Sequence, residues 1–309
     1  MAHIRIISPS GTINPDYIDG ATRRLQTWGF EVSEGKHARG EFGRFSGTDE
    51  ERLADVHDAL ADPSVDVILC ARGGYGLQRI IDKIQISDRT DIVRASYVHR
   101  TCIDRKCLVG FSDITALHQL WALSDTPSLH GLMCKHLTEL PEDSETLRYM
   151  RAALDGEPLT YHIPPHALNR IGEASGTLVG GNLSVLYGLQ GTPFSLQAVI
   201  DAHPEGVILF IEDIAERHYH IDRMVNNLRL SGILAQIKGL VVGQFTDCED
   251  DPLMGCTVYD TIRQAVASYG YPVLFNFPAG HTDYNLPLRL NTPTSIIINN
   301  DFAWLSGKK

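Results

Sequence analysis

Cys107-Leu108-Val109-Gly110-Phe111-Ser112-Asp113-Ile114-Thr115 passes from a short β-forming apolar run through a sharp turn into a helical pattern that continues over Asp113–Leu123. A strand that turns directly into a helix is the unit from which helix-covered parallel sheets are built. The same unit recurs upstream. Ile4-Arg5-Ile6-Ile7 is β-rich and ends at the turn Ser8-Pro9-Ser10-Gly11; Asp16–Trp28 then carries Ile18, Ala21, Leu25 and Trp28 near helical spacing before Gly29. Phe30-Glu31-Val32 reads as a second short strand. Thr48–Leu60 places Leu53, Val56, Ala59 and Leu60 on one face behind a Thr48-x-x-Glu51 capping box. Val65–Ala71 is a further strand and leads into Arg72-Gly73-Gly74-Tyr75-Gly76. The fold class that follows is α/β, and sites in such sheets lie beyond the carboxyl ends of the strands.

Around residues 140 to 175 Pro141, Pro158, Pro164 and Pro165 interrupt the pattern. Domains are therefore expected over 1–150 and 176–309, with a crossing at 151–175. The second half has strand-like runs at Val207–Ile211, Gly239–Gly243, Val273–Phe275 and Ser295–Ile298, with helical patterns at Ile221–Leu230 and Tyr259–Tyr269.

Composition bounds the function. The 309 residues are 43% hydrophobic and 21% charged, an ordinary globular balance. A net charge of 27 − 38 = −11 argues against a nucleic-acid partner, which needs clustered Lys and Arg. No apolar run approaches the roughly 20 residues of a membrane span, so no membrane partner is expected. The first residues lack the layout of a signal peptide. Six scattered cysteines without a C-x-x-C pair read as reduced and mostly buried, hence a cytoplasmic chain without structural zinc.

Four segments could carry chemistry. Ser112 sits on a strand-to-helix turn, where it is either a nucleophile held above the sheet or a helix cap. The glycine-rich turn 72–76 lacks nucleotide-binding spacings; its N–H groups suit an oxyanion, or the turn is simply flexible. Glu212 and Asp213 end an apolar strand, as orienting carboxylates or as a solvated strand end. His281 follows Gly280 just past the strand Val273–Phe275, as a general base or a surface residue. Ser112, Glu212 and His281 are together the three parts of activated-serine catalysis. A metal-dependent hydrolase using His218, His220 and Glu212, and a non-catalytic ligand-binding protein, are the readings from other classes.

The stretch Phe45–Asp55, the turn Arg72–Gly76, Gly110-Phe111-Ser112-Asp113, Gly180-Gly181-Asn182-Leu183-Ser184, Phe210–Asp213 and Gly280-His281 together resemble the LD-carboxypeptidase family of serine peptidases, the group of muropeptide LD-carboxypeptidases and microcin-immunity peptidases. The resemblance implies an N-terminal flavodoxin-like parallel-sheet domain holding the nucleophile and a C-terminal β-rich α/β domain holding the other two members. It implies Ser112 as nucleophile, His281 as base and Glu212 as its orienting carboxylate, with oxyanion donors from the N–H groups of Gly74 and Asp113. Arg72 and Asn182 are candidates for the substrate carboxylate. The implied reaction is release of a C-terminal D-amino acid, D-Ala from a muropeptide tetrapeptide in peptidoglycan recycling, by a cytoplasmic homodimer without metal or organic cofactor. The alternative within the group is cleavage of a peptide–nucleotide antibiotic, which would call for an aromatic clamp such as Tyr75, Tyr219 or Trp121. The polar stretch 85–106, with Arg89, Arg94, His99, Arg100 and Arg105, departs from the family pattern and bears on substrate choice.

Overall fold

The computed structural model describes residues 1–84 and 106–307; of the departing polar stretch only Lys106 falls among them, and the rest lies outside the described residues. The first sheet is built from β1 (His3–Ile7), β2 (Glu31–Glu34), β3 (Val67–Cys70), β4 (Cys107–Gly110) and β5 (Ser128–His130), all parallel, in the order β2-β1-β3-β4-β5. This is the flavodoxin-like order. β3 and β4 lie inside the sheet, which is why every residue of each is buried, whereas β2 at the edge is polar and half-exposed. The strand order reverses between β1 and β3, the place where sites of such sheets lie, and the loops leaving their carboxyl ends meet there, Gly11 N–H donating to the Gly73 carbonyl at 3.0 Å. The capping box forms as read: Glu51 N–H donates to Thr48 Oγ1 at 3.3 Å, and Thr48 N–H donates to Glu51 Oε2 at 2.9 Å.

Among the described residues the second sheet has seven strands: β6 (Thr160–Ile163), β7 (Gly172–Asn182), β8 (Val207–Ile214), β9 (Gly239–Thr246), β10 (Val273–Leu274), β12 (Thr292–Ile298) and β13 (Ala303–Gly307), in the order β10-β9-β8-β7-β12-β13-β6. β10, β9, β8 and β7 run parallel, and the remaining pairings are antiparallel. The chain is thus the α/β protein that was expected, with a parallel-sheet half and a β-rich half. One short strand crosses between them: β11 (Leu288–Leu290) returns to the first sheet, antiparallel to β5 with Leu288 opposite His130. Among the described residues no helix is long and apolar enough to cross a membrane.

Residues 151–175, read as a crossing, contain the end of the helix Glu145–Leu154, the edge strand β6 and the start of β7. The prolines flank β6 rather than interrupt its pairing, as an edge strand allows. The central strand β7 has no strand-like signature because it is rich in glycine, a residue depleted in strands. Gly180 shows why it is there: at φ +126°, a Cβ would lie 2.0 Å from the Phe210 carbonyl oxygen of β8. Gly180→Ala is therefore expected to destabilise the protein by roughly 2–4 kcal/mol, read from the denaturant midpoint; an unmoved midpoint would contradict the packing account.

The two halves are joined through the helix Thr115–Leu123, whose residues Thr115 to Ala122 are all buried. A helix buried on every side belongs between layers. It begins three residues after Ser112, and its Thr115 Oγ1 accepts a hydrogen bond from Asn182 N–H at 2.9 Å, at the end of β7. One apolar cluster runs from Ile4, Val67 and Val109 of the first sheet to Leu178, Phe210, Val241 and Ile296 of the second.

Candidate active site

β4 ends at Gly110, where a Cβ would lie 2.9 Å from Ile114 Cγ1, so glycine is what lets the chain turn back so tightly. Ser112 then takes φ +67° and opens a short 3₁₀ turn, Ser112–Ile114, that runs into the helix Thr115–Leu123. A left-handed non-glycine residue costs of order 1–3 kcal/mol and persists where its surroundings impose it, commonly at functional sites. The capping alternative is not what forms, because neither the 3₁₀ turn nor the helix has a side-chain cap. Ser112 is partly exposed. Gly73 lies directly opposite: a Cβ there would be 2.7 Å from Ser112 Cβ and 3.0 Å from its Oγ. The turn leaving β3 therefore rests against Ser112, with Gly74 exposed at its tip in a left-handed conformation (φ +105°). Asp113 turns inward. Its Oδ2 accepts from Ser10 Oγ at 2.5 Å and from Leu77 N–H at 3.0 Å, and burial raises its carboxyl above the usual range.

Glu212 is fully buried near the carboxyl end of β8, and its Oε2 lies 2.8 Å from His281 Nδ1. A carboxylate only accepts, so Nδ1 carries the proton and Nε2 keeps the lone pair of the neutral ring. Gly280 N–H donates to Asn285 Oδ1 at 3.0 Å, which holds the turn that presents the imidazole. Burial alone would lower the affinity of His281 for a proton. The Glu212 charge and its hydrogen bond outweigh that, with a smaller contribution from Asp213, and hold the imidazole above its ordinary value. The ring packs edge-on against Phe111, centroids 4.9 Å apart, and Phe111 is the residue before Ser112. The structure thus joins Glu212 to His281 and sets both beside the Ser112 turn. Among the described residues Ser112 Oγ has no hydrogen-bond partner of its own, and sites of this kind commonly tighten only around substrate.

Asn182, a candidate for the substrate carboxylate, is committed elsewhere. It is buried; its Nδ2 donates to Asp213 Oδ1 at 2.8 Å, and its Oδ1 accepts from Val185 N–H at 3.1 Å, capping the helix Leu183–Gly188. Asp213 also accepts from Ser184 N–H at 2.8 Å, and burial followed by the neighbouring Glu212 charge pushes its carboxyl up to about 7. Arg72 stays exposed at the rim, with Nη1 donating to the Thr12 carbonyl at 2.6 Å. The metal reading fails on geometry. His218 is buried between Thr261 Oγ1 at 2.7 Å and Asp251 N–H at 3.2 Å, His220 bonds Glu216 at 3.0 Å, and Glu212 serves His281. Trp121 is not available as a clamp: it is core, with Nε1 donating to the Lys106 carbonyl at 3.2 Å, whereas Tyr75 and Tyr219 are exposed.

Comparison with known proteins agrees with this architecture. Residues 4–131 match the LD-carboxypeptidase N-terminal domain family, and residues 175–296 match the LD-carboxypeptidase C-terminal domain family. A putative carboxypeptidase of Synechocystis is 34% identical over 302 residues, covering 95% of this chain and 90% of that protein. A probable murein peptide carboxypeptidase of Bacillus subtilis is 32% identical over 292 residues, covering 90% and 83%. The crystal structure of a muramoyltetrapeptide carboxypeptidase from Oxalobacter formigenes superposes with a TM-score of 0.84 at 26% identity, covering 100% of this chain and 99% of that one.

Proposed function

The chain belongs to the LD-carboxypeptidase family of serine peptidases, and from that premise we propose that Ser112, His281 and Glu212 form its catalytic triad and release a C-terminal D-amino acid from a murein tetrapeptide. The observation that carries the reading is the 2.8 Å Glu212–His281 bond seated against Phe111, one residue before a serine in a left-handed turn. The substrate follows from relatives named for murein peptides.

The reaction then proceeds as acyl transfer. His281 Nε2 takes the Ser112 proton as Oγ attacks the carbonyl of the L-configured centre, and Glu212 steadies the imidazolium. The N–H groups of Gly74 and Asp113 receive the oxyanion, each such donor being worth about 3–4 kcal/mol of barrier. Collapse expels the D-amino acid, whose amine takes the proton from His281. Water, activated by the same imidazole, then cleaves the ester and restores Ser112. Arg72, exposed at the rim beside the glycine turn, is assigned to the substrate's terminal carboxylate, a role that Asn182 cannot fill from its buried position. The work is assigned to the cytoplasm, where thiols such as the buried Cys70 and Cys134 stay reduced, and, following the family resemblance, to a homodimer.

The decisive assay offers L-Ala-γ-D-Glu-diaminopimelate-D-Ala beside its all-L counterpart, with mass detection of the released residue. D-Ala release from the first, and little from the second, is expected. Equal release from both, or cleavage at an internal bond, would overturn the assignment.

A further inference from the structure

Arg52 has no solvent exposure and lies over the Phe45 ring, 4.9 Å from the centroid. Burying a guanidinium is costly unless its donors are used, so their destinations carry information. Nη2 pairs with Asp49 Oδ1 at 2.5 Å. Nη1 donates to two carbonyls, that of Pro9 at 2.7 Å and that of Gly76 at 3.2 Å. Pro9 lies in the loop leaving β1, and Gly76 closes the turn leaving β3. The residue after each of them is gripped by a second group: Asp113 Oδ2 accepts from Ser10 Oγ and from Leu77 N–H. One cation therefore takes two carbonyls, and one carboxylate takes the donors that follow them. A third tie runs directly between the loops, Gly11 N–H to Gly73 O at 3.0 Å. The clamped turn is the one whose Gly73 leaves no room for a Cβ beside Ser112.

We propose that Arg52, acting with Asp113, is a positioning residue that locks the loops leaving β1 and β3 together and so aims the Gly74 N–H at the oxyanion formed over Ser112. The inference rests on the serine-peptidase reading of the site. Because the oxyanion exists only after attack, loss of the clamp acts on the transition state far more than on bound substrate. Lysine at this position keeps the charge but lacks the planar fork, so it holds the two carbonyls less well.

The test uses full-length R52M and R52K on the D-Ala tetrapeptide, with active sites counted by a serine-reactive phosphonate. R52M is expected to lose about 30-fold or more in kcat per titrated site, with KM within about threefold of the parent. Affinity for a tetrahedral peptidyl boronate should fall by the same factor as kcat/KM, and R52K should recover part of the loss. A merely structural Arg52 would lower the unfolding midpoint and the number of titrated sites while leaving kcat per site and boronate affinity unchanged; that result overturns the proposal. If R52M does not fold, R52K decides alone, and an unchanged kcat per site is fatal. Failure of the serine-peptidase reading would look different, because the parent enzyme itself would then escape phosphonate labelling.

Discussion

Ser112→Ala is expected to lower kcat/KM on the D-Ala tetrapeptide by about 10⁴-fold or more, with the fold and substrate binding retained. In the proposed mechanism the hydroxyl is the group that becomes covalently bonded to the acyl carbon, so no neighbour can replace it; residual rate enhancement would come from the oxyanion donors and binding alone. Folding is insulated from the change because Oγ has no hydrogen-bond partner among the described residues and caps no helix. The backbone at φ +67° adds a control that separates function from stability. Ser112→Gly removes the Cβ that makes this conformation costly and should be as inactive as the alanine variant, yet more stable by about 1 kcal/mol. A residue kept despite strain that glycine would relieve is being held for its side chain. Turnover by Ser112→Ala within tenfold of the parent would remove Ser112 from the mechanism.

Legibility followed the kind of force that specifies each element. β1, β3, β4, β8 and β9 are read from apolar runs because burial on both faces leaves no other composition for them. The capping box at Thr48 is read because its hydrogen bonds are local in sequence. β7 escapes that logic: its glycines answer to a close approach by β8, and that contact is made by residues 30 positions away. β11 is three residues long and is defined only by its pairing with β5. The site divides the same way. Ser112 and His281 follow apolar strands and Glu212 stands near the end of one, so their types and positions single them out. Phe111, which seats the imidazole, and Arg52, which ties two loops, have no local signature. Nothing in Asp49-Glu50-Glu51-Arg52 distinguishes a buried guanidinium from the surface charges around it. Asn182 is the converse case: its side chain is committed to Asp213, one strand away, a partner that no local pattern announces.

Glu212→Gln tests the other half of the site, and here the pH profile says more than the rate. In the native protein burial works against a charged imidazole, but the Glu212 charge and hydrogen bond win, so His281 is held above its ordinary value of 6.5. As the proposed base, His281 would act only when neutral, so kcat/KM should fall as pH drops through that raised value, with its acid limb above pH 6.5. Glutamine preserves the volume but removes the charge. The burial that opposes protonation remains, and the acid limb should shift towards lower pH. Rate is lost for a separate reason: the amide can donate to Nδ1, which favours the tautomer with its proton on Nε2, the atom that must accept from Ser112. A loss of about 10³–10⁴-fold in kcat is expected at every pH. The geometry favours a large effect, because Glu212 Oε1 is buried and has no partner among the described residues, so the side chain's one hydrogen bond is spent on His281. Two results would break the argument: an acid limb that stays where it was, which would mean Glu212 does not set the basicity of His281, or a kcat within tenfold of the parent, which would mean that its hold on the tautomer is not what the reaction depends on.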